Sequence, residues 1–529
     1  MSQDHVLVIG AGPSGMVAAA ELTRRGVRTI IVDKRPGPTE RSKATILWPR
    51  AIDVLAEIDG VDQIRKTCLA QSSLRYYDGG TSVAELSLPE NLRPAVAPQN
   101  IVEAQLHAKL ENLGTEVKWM TLAENLTHGA DEVSYTLRNV ASGATEAGTA
   151  SYVVAADGAW STSRSAVGAK FTGATHEMTF VVSDAELGGA DLHERSTYYW
   201  CSPRGIVVMT RLAEGVWRIF TTLPPGIAEN DITVDLVQKL LEQRVPLALH
   251  VGEPRWISPF KVHARQIDSM RHGRFLFVGD AAHIHSPAGG QGVNLGILDA
   301  HNLAWKLALV VQGASPVALL DTFADERGKA AVAAIRQANL QTKLWMIQSS
   351  LGRRLRNRAL RLVSSSRLYR QWYAPWLCGY RTMYSKLAKT PTSVAAILTP
   401  GKKHLLGENV GYLTSETGTE IRRQWTSPDS FVVLRRSGTR MMPGELEDKI
   451  PYLIREVAGN EWSRLAGRDR SARRADFILV APDGYIWSSG NMATVLRELS
   501  RHLNLQVASG QPDAAASTTI IRRRSADAL

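Results

Sequence analysis

Residues 5–33 read HVLVIGAGPSGMVAAAELTRRGVRTIIVD, and this stretch decides the architecture of the chain. Residues 5–9 form a short apolar run suited to a buried parallel strand. Residues 16–25 have the Ala and Leu content of a helix, and Gly26 closes it. Residues 29–32 are β-branched and end at Asp33. Strand, Gly-rich turn, helix and strand within about 30 residues make a βαβ unit. In the turn GAGPSG, Gly10 permits the tight bend and Gly12 lets backbone amides approach a pyrophosphate. Pro13 and Ser14 lead into the helix, and Gly15 allows helix and strand to pack closely. Phosphates would sit at the helix N-terminus, where free N–H groups and the macrodipole favour negative charge. Asp33, followed by Lys34, would accept hydrogen bonds from ribose hydroxyls and repel a 2′-phosphate. The unit therefore points to a dinucleotide without choosing between FAD and NAD. A tight βα turn without ligand is the alternative.

Outward from this unit the pattern alternates and then changes. A helix is expected over 51–58 and another over 104–113, followed by strands up to residue 137. Residues 152–156 form an apolar strand ending in Asp157-Gly158. From about 171 to 265 short β-rich runs recur, separated by turn residues, as in an antiparallel sheet. Residues 275–278 return to the buried-strand style, followed by a Gly-rich loop and a long helix over 299–311. A third region from residue 400 predicts strands over 430–434, 477–480 and 485–487, with helices over 449–457 and 492–502.

With 529 residues, the chain is too long for one ordinary core. Its 44% hydrophobic and 21% charged residues describe a soluble globular protein. No apolar run approaches the roughly 20 residues a membrane span needs. The first strand begins close to Met1 with no cationic leader, so no signal peptide is expected and the cytoplasm is the expected compartment. Cys68, Cys201 and Cys378 lack CxxC or CxxH spacing, which predicts neither a disulfide framework nor a metal site. The net charge of +11 is concentrated over 353–389 and at Arg522-Arg523-Arg524. The first stretch mixes arginines with Trp372, Tyr373, Trp376 and Tyr380. It predicts a helical connector with aromatics inward and arginines outward, in preference to a nucleic-acid or membrane surface.

Two later segments choose the cofactor. Residues 152–164 read YVVAADGAWSTSR, and 274–307 read RFLFVGDAAHIHSPAGGQGVNLGILDAHNLAWKL. With GAGPSG they resemble the three signatures of the class A flavoprotein monooxygenases, the para-hydroxybenzoate hydroxylase-like aromatic hydroxylases. The resemblance spans roughly residues 4 to 390. The C-terminal region is similar to the thioredoxin-like domain of the phenol and polyketide hydroxylase branches but lacks the CxxC pair. The resemblance implies an α/β fold with a Rossmann-type FAD-binding domain over 1–77, 100–170 and 266–350. A β-rich substrate domain over 78–99 and 171–265 is interleaved with it. A helical connector over 351–399, a thioredoxin-like domain over 400–506 and a flexible tail over 507–529 follow.

The resemblance also implies site residues. Asp157 and Gly158 would lie near the pyrophosphate and the nicotinamide approach, and Asp280, after Gly279, would contact the ribityl chain. Pro287 to Gly292, including Gly290, forms a loop with little side-chain bulk, so backbone N–H groups can lie against an isoalloxazine edge. Gly292, Val293 and Asn294 would open a helix whose positive end favours the anionic reduced flavin. Two positions depart from the family pattern. Lys43 stands where Arg is common, keeping the charge without the planar fork, and Glu103 stands where Gln is common, accepting hydrogen bonds without donating.

The implied reaction has NADH or NADPH reduce FAD, with O₂ forming a flavin hydroperoxide that hydroxylates a phenolic or polyketide substrate. His283 belongs to the GDAAH signature and is expected to hold the loop. His285 is the candidate proton relay. His263 and Arg265 could face the substrate, and alternate residues of the sheet around Tyr198, Tyr199, Trp200 and Met209 should form a pocket floor. Arg50 is a helix-start or flavin-side residue. Asp299 is explained by the helix dipole, and Asp325-Glu326-Arg327 reads as an ion-paired helix face. Baeyer–Villiger oxidation or epoxidation is the alternative outcome. A flavin halogenase lacks its WxWxIP stretch here, and a non-catalytic flavin-binding protein has little use for a bare flavin-edge loop. The expected partners are a small aromatic substrate and O₂, with neither nucleic acid nor an integral membrane segment. A homodimer is left open.

Overall fold

The computed structural model describes residues 5–503 except 41, 43, 59–61, 228–230, 288, 367–368, 370–372, 381–408, 411–425, 440–451 and 467–469. Val6–Ile9, Pro13–Arg24 and Thr29–Val32 form the βαβ unit that the opening residues predict. Val6–Ile9 pairs in parallel with Thr29–Val32 on one side and Tyr152–Ala155 on the other. The six-stranded sheet runs Arg271–His272, Phe275–Phe277, Tyr152–Ala155, Val6–Ile9, Thr29–Val32, Val117–Lys118. Its central strands VLVI and YVVA are wholly buried, which is why they read as unbroken apolar runs. The helices Pro13–Arg24 and Gly292–Val311 pack together against this core.

The second sheet has eight strands in the order His283–Ile284, His250–Ile267, Phe171–Gly188, Val216–Thr222, Gly205–Ala213, Ser196–Ser202, Ser73–Asp78, Thr81–Ser87. Neighbours are antiparallel except Ser196–Ser202 with Ser73–Asp78. Residues 73–77, expected with the nucleotide domain, thus lie in this sheet. One side buries Tyr198, Trp200, Met209 and Trp217 beneath the helix Val234–Arg244. The intervening residues face the opposite way. The short strand His283–Ile284 comes from the GDAAHIH segment, so its pairing with Arg265 and Gln266 ties the nucleotide domain to the larger sheet.

Two expectations fail here. Residues 452–457, expected as helix, form the strand Tyr452–Val457, paired in parallel with Phe431–Arg436. Backbone pairing at the sheet margin overrides a mixed local propensity. The second, that of the connector, fails only in part: Tyr373 and Tyr380 pack into the core beside Leu377 as expected, and Arg354 and Arg358 are exposed. What differs is that in the helix Ser350–Ser364 two arginines, Arg353 and Arg356, turn inward. Arg353 donates to Asp78 at 2.6 Å, Asn357 donates to the same carboxylate at 2.7 Å, and Arg356 is buried beside it. Leu351, Leu355 and Leu362 face solvent instead. The Asp78 carboxylate has decided which face docks. Trp372 and the tail 507–529 lie outside the described residues.

The C-terminal unit is a four-stranded mixed sheet ordered Tyr452–Val457, Phe431–Arg436, Phe477–Val480, Ile486–Gly490, with its own core around Trp462. It docks on the nucleotide domain through Phe431 and Trp487, whose rings lie 5.6 and 5.3 Å from that of Trp305.

Candidate active site

The three glycines of the turn do three different things. Gly10 has φ +102°, and a Cβ there would meet the Ala156 carbonyl at 2.3 Å. A Cβ on Gly15 would meet the Gly10 carbonyl at 1.9 Å, so this glycine packs helix onto strand. A Cβ on Gly12 would meet nothing within 4 Å. Gly12 leaves open space at the start of the Pro13–Arg24 helix, where amides and dipole favour an anion.

Asp33 closes the turn from below. Its Oδ2 accepts from the Ala11 N–H at 2.7 Å, and its Oδ1 from the Arg35 N–H at 2.9 Å. Arg35, which the motif reading passed over, bridges Asp33, the Ala11 carbonyl and Glu103. Burial disfavours the Arg35 charge, yet Asp33 and Glu103 more than offset this and raise its pKa. Glu103 lies one turn inside its helix, Gln99–Asn112, and is fully buried. One oxygen accepts from Arg35 and the Thr39 N–H, the other from Gln99. The helix therefore opens four residues before Glu103, and Gln99 also lines the cavity. Lys34 is exposed at the cavity wall. Lys43 lies outside the described residues.

Asp157 accepts from the Ser163 N–H at 3.0 Å through Oδ2, while its buried Oδ1 has no hydrogen-bond partner. Gly158, at φ +79°, lines the cavity beside it. Gly279 and Gly296 lie against the Ser14 hydroxyl, where a Cβ on either would come within 2.6 Å of Oγ. Asp299 is more than a helix-start carboxylate. It is fully buried, accepting from the Gly279 N–H at 3.2 Å, His283 Nε2 at 2.6 Å and Arg327 Nε at 2.7 Å. Burial opposes its charge, but His283 and Arg327 outweigh burial and hold its pKa below the ordinary value. The Glu326-Arg327 pair is likewise interior, Glu326 bonding Lys306 and Asn302 at 2.5 and 3.0 Å. His283 thus ties the His283–Ile284 strand to the helix Gly292–Val311.

Asn294 is a tie between segments. Its Nδ2 donates to the carbonyls of Ile46 and Gly290, and its Oδ1 accepts from the Trp48 N–H. Trp48 Nε1 adds a bond to the Gly289 carbonyl at 2.8 Å. Asn294, Gly15 and Gly279 consequently support the cavity from behind, while Asp280, Pro287, Gly290, Gly292 and Val293 line it. Arg50 is buried toward the C-terminal unit, donating to the Asp483 carbonyl at 2.6 Å. His263 and Arg265 both bond Thr175 on the sheet surface, outside the cavity lining.

His285 lines the cavity with one nitrogen engaged. Its Nδ1 lies 2.8 Å from the Ser286 carbonyl, which can only accept, so Nδ1 carries the proton. Nε2 is then a lone-pair acceptor, buried and without a hydrogen-bond partner. Burial pushes the imidazole down to about 4, so the ring is neutral near pH 7.

The lining groups among these border one cavity of about 860 Å³ that runs from Gly10 and Asp33 to the inner face of the eight-stranded sheet. The sheet contributes Thr197, Tyr199, Val208, Thr210, Arg218, Phe220, Trp256 and Phe260, and Trp345 joins from the helix Leu319–Trp345. These are alternate residues on adjacent strands, the side chains between them serving the opposite core. Arg218 grips Asp184 through Nε at 2.7 Å and Nη2 at 2.8 Å, and lies 5.6 Å from the Trp256 ring. It also donates to the Ser42 hydroxyl.

The cavity suits FAD on its own evidence: an anion-favouring helix end with open Gly12, a buried acceptor at Asp157 and a length reaching both sheets. Comparisons agree. A family model described as FAD binding domain matches residues 3–338. The chain is 34% identical over 334 residues to a 6-methylpretetramide 4-monooxygenase of Streptomyces rimosus, covering 61% of this chain and 59% of that protein. It is 29% identical over 501 residues to an uncharacterized aromatic compound monooxygenase of Bacillus subtilis, covering 92% and 94%. The solved anhydrotetracycline hydroxylase of Streptomyces rimosus superimposes with a TM-score of 0.71 at 25% identity, covering 96% of this chain and 100% of that one.

Proposed function

The chain belongs to the FAD-binding domain family of flavin-dependent aromatic monooxygenases, and from that premise we propose that it hydroxylates a multi-ring phenol or polyketide. The observation that carries this reading is the aromatic wall of Tyr199, Phe220, Trp256, Phe260 and Trp345 at the far end of the cavity. Flat, electron-rich rings match such a wall by area and by stacking geometry. The similar proteins whose names specify pretetramide and anhydrotetracycline act on molecules of this class.

FAD, when bound, takes hydride from NADPH or NADH and activates O₂, chemistry no side chain supplies. Gly10, Gly12, Pro13, Ser14, Asp33 and Lys34 would hold its adenosine and pyrophosphate, with Arg35 and Gln99 beside them. Asp157, Gly158 and Asp280 would border its middle, and the 287–293 loop its reacting ring. The Asp299 cluster and Asn294 keep that loop from shifting.

His285 is the residue we assign to the substrate. Its Nε2 can accept the proton of a phenol hydroxyl, directly or through water, which makes the ring more nucleophilic. The aromatic wall and the sheet would shield a bound ring from bulk water on that side. The enzyme is read as cytoplasmic, acting on a small molecule and O₂ without nucleic acid, and compatible with a homodimer. Its C-terminal unit is read as thioredoxin-like without thiol redox chemistry, consistent with a four-stranded mixed sheet that has no CxxC pair. The test is anaerobic reduction of the FAD-loaded protein by NADH and by NADPH, with a panel of phenols and polyketides. Acceleration by a multi-ring phenol supports the reading, and one unchanged rate with every ligand overturns it.

A further inference from the structure

The helix Ser350–Ser364 is docked by its polar face. Arg353, Arg356 and Asn357 gather on Asp78, and Arg361 donates to the Val83 carbonyl. This leaves Leu351, Leu355 and Leu362 exposed at 67%, 61% and 64%. They recur at helical spacing along one solvent face, with exposed Arg354 and Arg358 between them. Leu340 and Leu344, at the end of the preceding helix, add 53% and 39% exposure. Soluble monomers rarely leave so many large apolar side chains together in water without a use.

Charge identifies the occupant. No Asp or Glu occurs anywhere from residue 328 to 407, while fifteen Lys and Arg do. A second copy of this face would set arginine against arginine, since the neighbouring carboxylates are already engaged, Asp78 by Arg353 and Asn357 and Glu85 by Arg75. A nucleic acid would meet the arginines but leave the leucines in water. A leucine stripe edged by arginines matches a surface that is apolar below and anionic above. None of the described helices is long and apolar enough to cross a membrane, so such contact is peripheral.

We propose that the Ser350–Ser364 helix is a membrane-surface contact that seats Leu351, Leu355 and Leu362 among the acyl chains of an anionic bilayer, with Arg354 and Arg358 at its headgroups. The inference does not depend on the substrate, and a failed hydroxylation assay would leave it standing. The test is co-sedimentation of the full-length FAD-loaded protein with vesicles of phosphatidylcholine alone and of phosphatidylcholine mixed equally with phosphatidylglycerol. Binding is expected with the mixed vesicles, weakening with salt. It should fall about tenfold in the triple variant Leu351→Gln/Leu355→Gln/Leu362→Gln, the loss expected when three side chains no longer enter the bilayer. Arg354→Gln/Arg358→Gln should lose the preference for anionic vesicles. Retention of bound FAD establishes that each variant is folded. The proposal is overturned if the folded wild-type protein ignores anionic vesicles, or if the leucine triple binds them as well as wild type. It is equally overturned if light scattering shows a dimer that the triple variant dissolves, because a second copy then covers the face.

Discussion

The two ends of the cavity are built by opposite means. At the Gly10 and Asp33 end, polar groups satisfy one another before any ligand arrives: Asp33 with Ala11 and Arg35, Arg35 with Glu103, Glu103 with Thr39 and Gln99. At the sheet end the wall is mostly aromatic, and His285, whose buried Nε2 has no hydrogen-bond partner, is among the lining residues. The first end is a rigid mould whose shape recognises a fixed cofactor. The second keeps an unengaged acceptor beside an adaptable apolar surface, as suits a site where substrate and chemistry are decided. Asp299 joins them, because the carboxylate that fixes Gly279 also fixes His283.

Breaking that joint should produce the largest effect. Asp299→Ala leaves Arg327 buried without its carboxylate and is expected to cost about 4 kcal/mol of stability, measured by chemical denaturation. The pH dependence has a definite sign. The folded pKa of Asp299 lies below its ordinary 3.8, so its contribution is complete above that value and lost as pH falls through the folded pKa. Stability without a steep decline below about pH 4 would contradict the assignment.

His285→Gln should rank second. It is expected to lower the hydroxylation rate about 100-fold, the lower range for loss of a proton acceptor. FAD content should stay normal, since the adenosine end is untouched. Because burial holds the imidazole near 4, this group should impose no acid limb on kcat/KM between pH 5 and 8. An acid limb near the ordinary histidine value that disappears in His285→Gln would show that the ring is not held neutral.

The glycine pair sharpens the contrast within the cofactor end. Gly15→Ala meets the Gly10 carbonyl at 1.9 Å and should destabilise the fold by about 2 kcal/mol. Gly12→Ala meets no protein atom, so its melting temperature without FAD should match wild type. Its FAD affinity should fall about tenfold in a fluorescence titration, since only the ligand competes for that space. Trp256→Ala should have the narrowest effect. It is expected to raise KM for a multi-ring substrate severalfold while leaving kcat within about a factor of two, the pattern of lost uniform binding.

How much was legible follows from the same contrast. The turn, Asp33, Asp157-Gly158 and the 287–293 loop were readable because each demands particular residues at short spacing. Arg35 escaped because a lone arginine beside a motif carries no pattern of its own, although its position two residues after Asp33 was a usable hint. Gln99 escaped because the helix was started too late in the chain. The substrate wall left almost no trace, since Tyr199, Phe220, Trp256 and Phe260 come from three separate strands. Only the expectation that alternate sheet residues form a pocket pointed toward them. The inverted helix at 350–364 could not be foreseen, because Asp78, which turns it over, lies some 275 residues away.

The account stands on the two ends sharing one cavity, so that a ring held by the sheet would lie within reach of a cofactor held at Pro287, Gly290, Gly292 and Val293. The most direct measurement supplies isotopically labelled O₂ and NAD(P)H to the FAD-loaded enzyme with a multi-ring phenol and follows both NAD(P)H consumption and product mass. The account predicts substrate-stimulated consumption and a product carrying one labelled oxygen atom, both suppressed in His285→Gln. Consumption at one rate with and without each phenol, with no labelled product, would contradict it.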